Sequence, residues 1–105
     1  MVTDMSIRLV ATDLDGTLLR SDGVCSGRTR AALAAVEAAG IQVVLVTARP
    51  PRWLNGLAAV VGGHGVALCC NGAFVYDVRR RKVLDEHCLA ATDVAEIAVD
   101  LRPDL

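Results

Sequence analysis

Three short aliphatic runs, SIRLVATD (6–13), IQVVLVT (41–47) and GVALCCN (65–71), each close on a polar side chain: Asp13, Thr47 and Asn71. Their nearly unbroken apolar character is how strands covered on both faces of a parallel sheet read. The first connection has the grammar of a helix. SGRTRAALAAVEAAG offers Ser26 as N-cap, Ala32, Leu33, Val36 and Ala39 as an apolar stripe, and Gly40 as a C-terminal stop. The second, RPPRWLNGLAAVVGG, puts prolines where a first helical turn tolerates them, spaces Trp53, Leu54, Leu57, Val60 and Val61 as a helical stripe, and ends on Gly62-Gly63. Two successive βαβ units are expected, and right-handed crossovers would bring all three polar strand ends to one rim of the sheet. Open α/β sheets bind ligands there.

Beyond Asn71 the pattern changes. AFVYD, the basic turn VRRRK and VLDEHCL predict a β-hairpin whose solvated tip holds Arg79, Arg80, Arg81 and Lys82. TDVAEIAVDL predicts a helix with Asp93 and Glu96 as a capping-box-like start and Val94, Ile97, Ala98 and Leu101 on one face. At 105 residues the chain amounts to one domain at most. A formal charge of −1 gives no reason to expect nucleic acid as a partner. The opening MVTDMSIRLV holds Asp4 and no long apolar stretch, so neither a secretory signal nor a membrane span is expected, and the cytoplasm is the default. Cys25, Cys69, Cys70 and Cys88 form no C-x-x-C pair, and each reads as small apolar filler. His64 and His87 have no neighbouring partner in sequence, and Trp53 reads as helix-to-sheet packing, with an aromatic platform for substrate as the alternative.

The chemistry concentrates at DLDGT. Residues i and i+2 of an extended segment point the same way, so Asp13 and Asp15 should share a site while Leu14 turns to the core. Carboxylates this close repel, and the usual remedies are a shared proton or a divalent cation. Donors that are all oxygen favour Mg²⁺. Gly16 allows a sharp turn, and Thr17 can tie it down through its hydroxyl. Thr47, Arg49 and Asn71 add a hydroxyl, a cation and an amide, a set that suits a phosphate ester. Each residue also has a plainer use: Thr47 as a cap, Asn71-Gly72 as a turn pair, Arg49 as an exposed helix-start residue.

DLDGTLL, VTAR and NGA, in that order and spacing, resemble the opening motifs of the haloacid dehalogenase superfamily, and the hairpin and helix after NGA resemble its Cof-type sugar-phosphatase branch. The resemblance implies a Rossmann-like, doubly wound α/β core over residues 1–72, with a hairpin and first helix at 73–105 leading into a cap domain. It implies Mg²⁺-dependent hydrolysis of a sugar phosphate or similar small ester through an aspartyl-phosphate. Asp13 would be the nucleophile and Asp15 the acid and later the base, with Mg²⁺ on the Asp13 carboxylate and the Asp15 main-chain carbonyl. Gly16, Thr17, Thr47, Arg49 and Asn71 would form the phosphate and substrate side.

Family members also use a later lysine and a GDxxND-like motif, and neither is found here: the only lysine is Lys82, in the hairpin tip. The expectation is therefore the N-terminal part of a longer enzyme, with little activity alone and with the first strand as an apolar edge open to self-association. Two other classes stay in view. A receiver-type signalling domain would need its acceptor aspartate on the third strand, which ends in Asn71. A non-catalytic phosphate- or partner-binding fragment would keep the motif without turnover.

Overall fold

The computed structural model describes residues 6–58 and 65–104. It contains one five-stranded mixed sheet in the order β1 (Leu9–Asp13), β2 (Gln42–Val46), β3 (Val66–Cys69), β4 (Phe74–Asp77) and β5 (Lys82–Glu86). The first three strands are parallel, in registers that set Asp13 beside Val46 and Val46 beside Leu68. The hairpin β4–β5 joins the same sheet antiparallel to β3, with an irregularity between Val75 and Tyr76.

Helix α1 (Gly27–Ala38) crosses from β1 to β2 as the sequence predicts. The Ser26 hydroxyl oxygen accepts the Thr29 N–H at 3.1 Å. At the other end Gly40, at φ 81°, donates to the Glu37 carbonyl while Ile41 donates to that of Val36. This pair of bonds is a Schellman stop. Leu33 carries the helix onto the core.

The second connection departs from the expectation of a helix. Over its described part it forms two short 3₁₀ turns, Pro51–Trp53 and Asn55–Leu57. Pro50 and Pro51 occupy the N-cap and first positions, where a helix start tolerates proline, and it is Gly56 that weakens the next turn. Val60, Val61, Gly62, Gly63 and His64 lie outside the described residues. The Tyr76 hydroxyl donates to Asn55 Oδ1 at 2.8 Å, tying this segment to β4.

The core is built at the carboxyl end of the sheet. Leu14, Leu18, Leu19 and Cys25 from the loop after β1 meet Leu45, Leu54, Ala67, Cys69, Tyr76 and Val78. Buried Cys25 and Cys69 are the apolar filler the sequence suggests, and burial pushes the Cys69 thiol up to about 11. Cys88 is exposed and does not fill a core.

Strand β1 is not covered on both faces: it is the sheet's edge, and no residue of it is buried. Strand β5 and α2 (Ala91–Leu101) are exposed along their whole lengths. The helix starts two residues before Asp93, with Ala90 at the N-cap position and no side-chain cap, so the capping box does not form. Val94, Ile97 and Leu101 on α2 stand about half in solvent. A radius of gyration of 17.2 Å exceeds the ~13 Å of a packed domain this long.

The hairpin tip is pinned by a buried carboxylate. Asp77 Oδ1 accepts the N–H groups of Arg79 and Arg80 at 3.0 and 2.9 Å, and Val78 is fully buried while the arginines face water. Lys82 opens β5 opposite Asp77. His87, which has no partner evident in sequence, meets Asp85 at 3.0 Å. No described helix is long and apolar enough to cross a membrane.

Candidate active site

The ends of β1, β2 and β3 do converge, and the loops beyond them are laced through the backbone. Thr47 N–H donates to the Leu68 carbonyl at 2.9 Å, Cys70 N–H to Arg49 at 3.1 Å and Asn71 N–H to Thr47 at 3.2 Å. Cys70 and Asn71 sit at φ 50° and 55°, the left-handed region that non-glycine residues enter at a cost of about 1–2 kcal/mol. Asparagine tolerates it best. The turn after β3 is thus held against its local preference by its bonds to the turn after β2, a pattern concentrated at binding sites.

Asp13 closes β1 with its side chain exposed and only lightly held. Oδ1 accepts the Leu14 N–H at 2.8 Å, and Oδ2 receives the Thr17 hydroxyl at 3.4 Å. Leu14 is fully buried, as the alternation requires. Gly16 at φ 75° makes the turn that brings Thr17 back toward Asp13.

The second carboxylate has a partner that the sequence did not identify. Arg49 clamps Asp15 with Nε on Oδ2 at 2.8 Å and Nη2 on Oδ1, a two-pronged ion pair between residues 34 apart. The hydrogen bonds and charge of Arg49 hold the Asp15 carboxyl below its ordinary value of 3.8, and Arg49 is raised in turn. Because the folded value is depressed, the pair stabilises the fold above the ordinary carboxylate range and loses that contribution as pH falls through the depressed value. Arg49→Gln should raise the Asp15 titration midpoint toward that of a free aspartate, read by the side-chain carboxyl ¹³C shift against pH. An unmoved midpoint would show that the clamp does not form in solution.

Thr47 is buried, and its hydroxyl oxygen accepts the Arg49 N–H at 3.1 Å. The capping use foreseen for it is not met, since the turn that follows has Pro50 at its N-cap and no side-chain cap; the Thr47–Arg49 bond is a local turn contact, and the hydroxyl hydrogen is still able to donate. Asn71, by contrast, lies exposed on the rim.

Beside the clamp opens a cleft of about 710 Å³ lined by Asp15, Ala48, Arg49 and Trp53. That volume is typical of small-molecule sites. Trp53 is 60% exposed, which corrects its expected place between helix and sheet.

Among the described residues no three His, Cys, Asp or Glu side chains gather closely enough to hold a metal ion. The Asp13 end nonetheless fits a hard cation as part of a shell: its donors are oxygens, and one carboxylate oxygen has only a long hydroxyl contact.

Comparison with known proteins agrees with this geometry. The family described as haloacid dehalogenase-like hydrolase matches residues 10–103. Pyridoxal phosphate phosphatase YbhA of Escherichia coli is 35% identical over 81 residues, covering 77% of this chain and 30% of its own length. The 5-amino-6-(5-phospho-D-ribitylamino)uracil phosphatase YcsE of Bacillus subtilis is 32% identical over 99 residues, covering 94% and 39% respectively. A solved phosphatase of the haloalkanoate enzyme superfamily from Bacteroides thetaiotaomicron superposes with a TM-score of 0.81 at 27% identity, covering 98% of this chain and 38% of that one. The chain spans about a third of the length of the curated relatives it matches.

Proposed function

The chain belongs to the haloacid dehalogenase-like hydrolase family, and from that membership and the rim geometry we propose that it carries the nucleophile side of a phosphomonoesterase for small phosphorylated metabolites. The observation that carries the reading is the pair of rim carboxylates with unequal settings: Asp13 exposed and lightly held, Asp15 clamped by Arg49 at the mouth of a cleft. The two tasks differ in what they require: the nucleophile needs open access to phosphorus, which exposed Asp13 has, and the proton carrier must first be released from Arg49. Relatives named for acting on pyridoxal phosphate and on a phosphorylated ribitylaminouracil support a small ester as substrate.

In this reading an Asp13 oxygen attacks phosphorus and the bond to the alcohol oxygen breaks, giving an aspartyl-phosphate and a leaving alkoxide. Asp15 delivers the proton that the alkoxide takes up. It then accepts a proton from the water that attacks the same phosphorus, releasing phosphate and restoring Asp13. While the clamp is closed Asp15 is held ionised, so Arg49 must turn from it toward the entering anion before the first proton transfer. The Thr47 hydroxyl donates to a phosphoryl oxygen, the Gly16-Thr17 turn fixes the nucleophile, and Asn71 lines the substrate side. Mg²⁺ would be held by the Asp13 carboxylate and the Asp15 main-chain carbonyl, and would offset negative charge between nucleophile and ester.

The division of the chain into core (1–72) and a segment leading to a cap (73–105) belongs to this reading; the hairpin extends the core sheet, and α2 is the part that leads away. So does a role within a longer cytoplasmic enzyme, supported by the unpaired edge of β1 and the uncovered face of α2. Pairing of two copies along the β1 edge is the alternative use of the same surface. Family membership displaces the receiver-type alternative.

The test is phosphate release from a panel of small esters, with and without Mg²⁺, by the full product of the reading frame and by the 105-residue chain alone. Mg²⁺-dependent turnover by the former and near-background turnover by the latter are expected. No turnover by the full product would leave a binding fragment instead, and rapid turnover by a monomeric 105-residue chain would contradict the need for further elements.

A further inference from the structure

Trp53 is the sole tryptophan of the chain. The core cluster does not include it, and it stands 60% exposed on the wall of the cleft that Asp15, Ala48 and Arg49 complete. An indole is among the largest apolar surfaces a side chain can offer, and an aromatic wall facing a few convergent polar groups is the usual make-up of a small-molecule site. The segment bearing it is fixed: Pro50 and Pro51 set the backbone, buried Leu54 anchors the turn from below, and the Tyr76 to Asn55 hydrogen bond holds it to β4. The Arg52 guanidinium lies 5.6 Å from the ring centroid, a cation against the indole's π-system.

The cleft therefore has two unlike walls. One is the ion pair whose carboxylate, on the reading above, protonates the leaving oxygen; the other is an aromatic plane. Whatever sits between them has an anionic or hydrogen-bonding end and a flat apolar body. A covering polypeptide segment fits this poorly, because it would bury the Arg49–Asp15 charges along with the indole.

We infer that Trp53 is a specificity-determining residue that stacks the alcohol half of the substrate, and that the preferred esters carry a planar, aromatic or heteroaromatic ring close to the phosphate. The inference rests on the phosphatase reading for the orientation of the ester. It predicts discrimination between ring-bearing and aliphatic phosphates, which that reading alone does not.

The experiment compares kcat/KM for phenyl phosphate and glycerol phosphate in wild type, Trp53→Leu and Trp53→Phe of the full reading-frame product; comparing ratios between variants cancels the intrinsic reactivity of the two esters. Trp53→Leu should lower the phenyl-to-glycerol ratio by about tenfold, as expected for loss of one stacked ring, and Trp53→Phe should restore most of it. A second measurement is independent of turnover. In the 105-residue chain with Mg²⁺, phenyl phosphate should quench the fluorescence of its only tryptophan saturably, while glycerol phosphate leaves it unchanged. Equal loss on both esters, no loss on either, or binding of phenyl phosphate seen by ³¹P NMR without quenching would each overturn the inference while leaving the phosphatase reading intact. Turnover of neither ester by the wild-type product would instead sink that reading, and the inference with it.

Discussion

Replacing Asp13 by asparagine should lower phosphate release from any ester by on the order of 10⁴-fold or more, the scale seen when an enzyme loses its attacking group. The substitution is informative because it spares the fold. The new amide oxygen can still accept the Leu14 N–H that Asp13 Oδ1 accepts at 2.8 Å, and the amide nitrogen can donate to the Thr17 hydroxyl, so the turn keeps its bonds. What disappears is the proposed anionic nucleophile and, with it, the carboxylate charge that would help to hold Mg²⁺. The expected result is an unchanged melting temperature, unchanged Trp53 quenching midpoints to within a few-fold, and no measurable turnover. Asp15→Asn should behave differently: it removes the partner of Arg49 as well as the proton carrier, and esters whose leaving groups need no proton should lose least. Equal loss in both variants on an activated aryl ester would mean that the two carboxylates do not divide the labour as proposed.

The second large effect falls on the scaffold. Leu45 lies in β2 between β1 and β3 and is 1% exposed, packed in the cluster that also holds Leu14 and Leu19 from the loop after β1. Leu45→Ala removes buried methyl groups and leaves a cavity, a change that costs about 2–5 kcal/mol. Against a total stability of ~5–15 kcal/mol, that is enough to unfold a marginal domain. Leu84→Ala, on β5 where the side chain is 48% exposed, should shift stability by about 0.5 kcal/mol or less. Urea denaturation followed by far-ultraviolet circular dichroism separates the two. Similar costs at both positions would mean that the core is not where the buried leucines of the loop after β1 place it.

That loop also shows why so much of the rim was legible in the sequence. In DLDGTLL the aspartates alternate with Leu14, Gly16 permits a positive φ, and Leu18 and Leu19 pack inward, so the local pattern and the tertiary outcome coincide. The parallel order of β1 to β3 followed from three apolar runs and one well-capped helix whose Ser26 and Gly40 both act as read.

Where the structure departs from the sequence pattern, the deciding contacts are mostly not local. The Asp15–Arg49 clamp joins residues 34 apart, and nothing in DLDGT or VTAR singles out that partner. Strand β1 stands at the edge, as expected, but its apolar run is not covered on both faces, because coverage depends on what lies beside it rather than on its own composition. Helical spacing from Trp53 to Leu57 produced only two short 3₁₀ turns, with Gly56 weakening the second, and the tryptophan stands on the cleft wall. Helix α2 has the predicted apolar positions, but its start is set by backbone geometry at Ala90, since Asp93 already lies inside the first turn.

The most direct measurement is chemical identification of the phosphorylated side chain. The full product of the reading frame is mixed with ester and Mg²⁺, quenched in acid within a turnover and reduced with borohydride, which converts an aspartyl-phosphate to homoserine, and its peptides are sequenced by mass spectrometry. Homoserine at position 13, absent when ester is omitted, is the expected result. Homoserine at position 15, or turnover that continues with neither aspartate modified, would contradict Asp13 as the group that takes the phosphoryl.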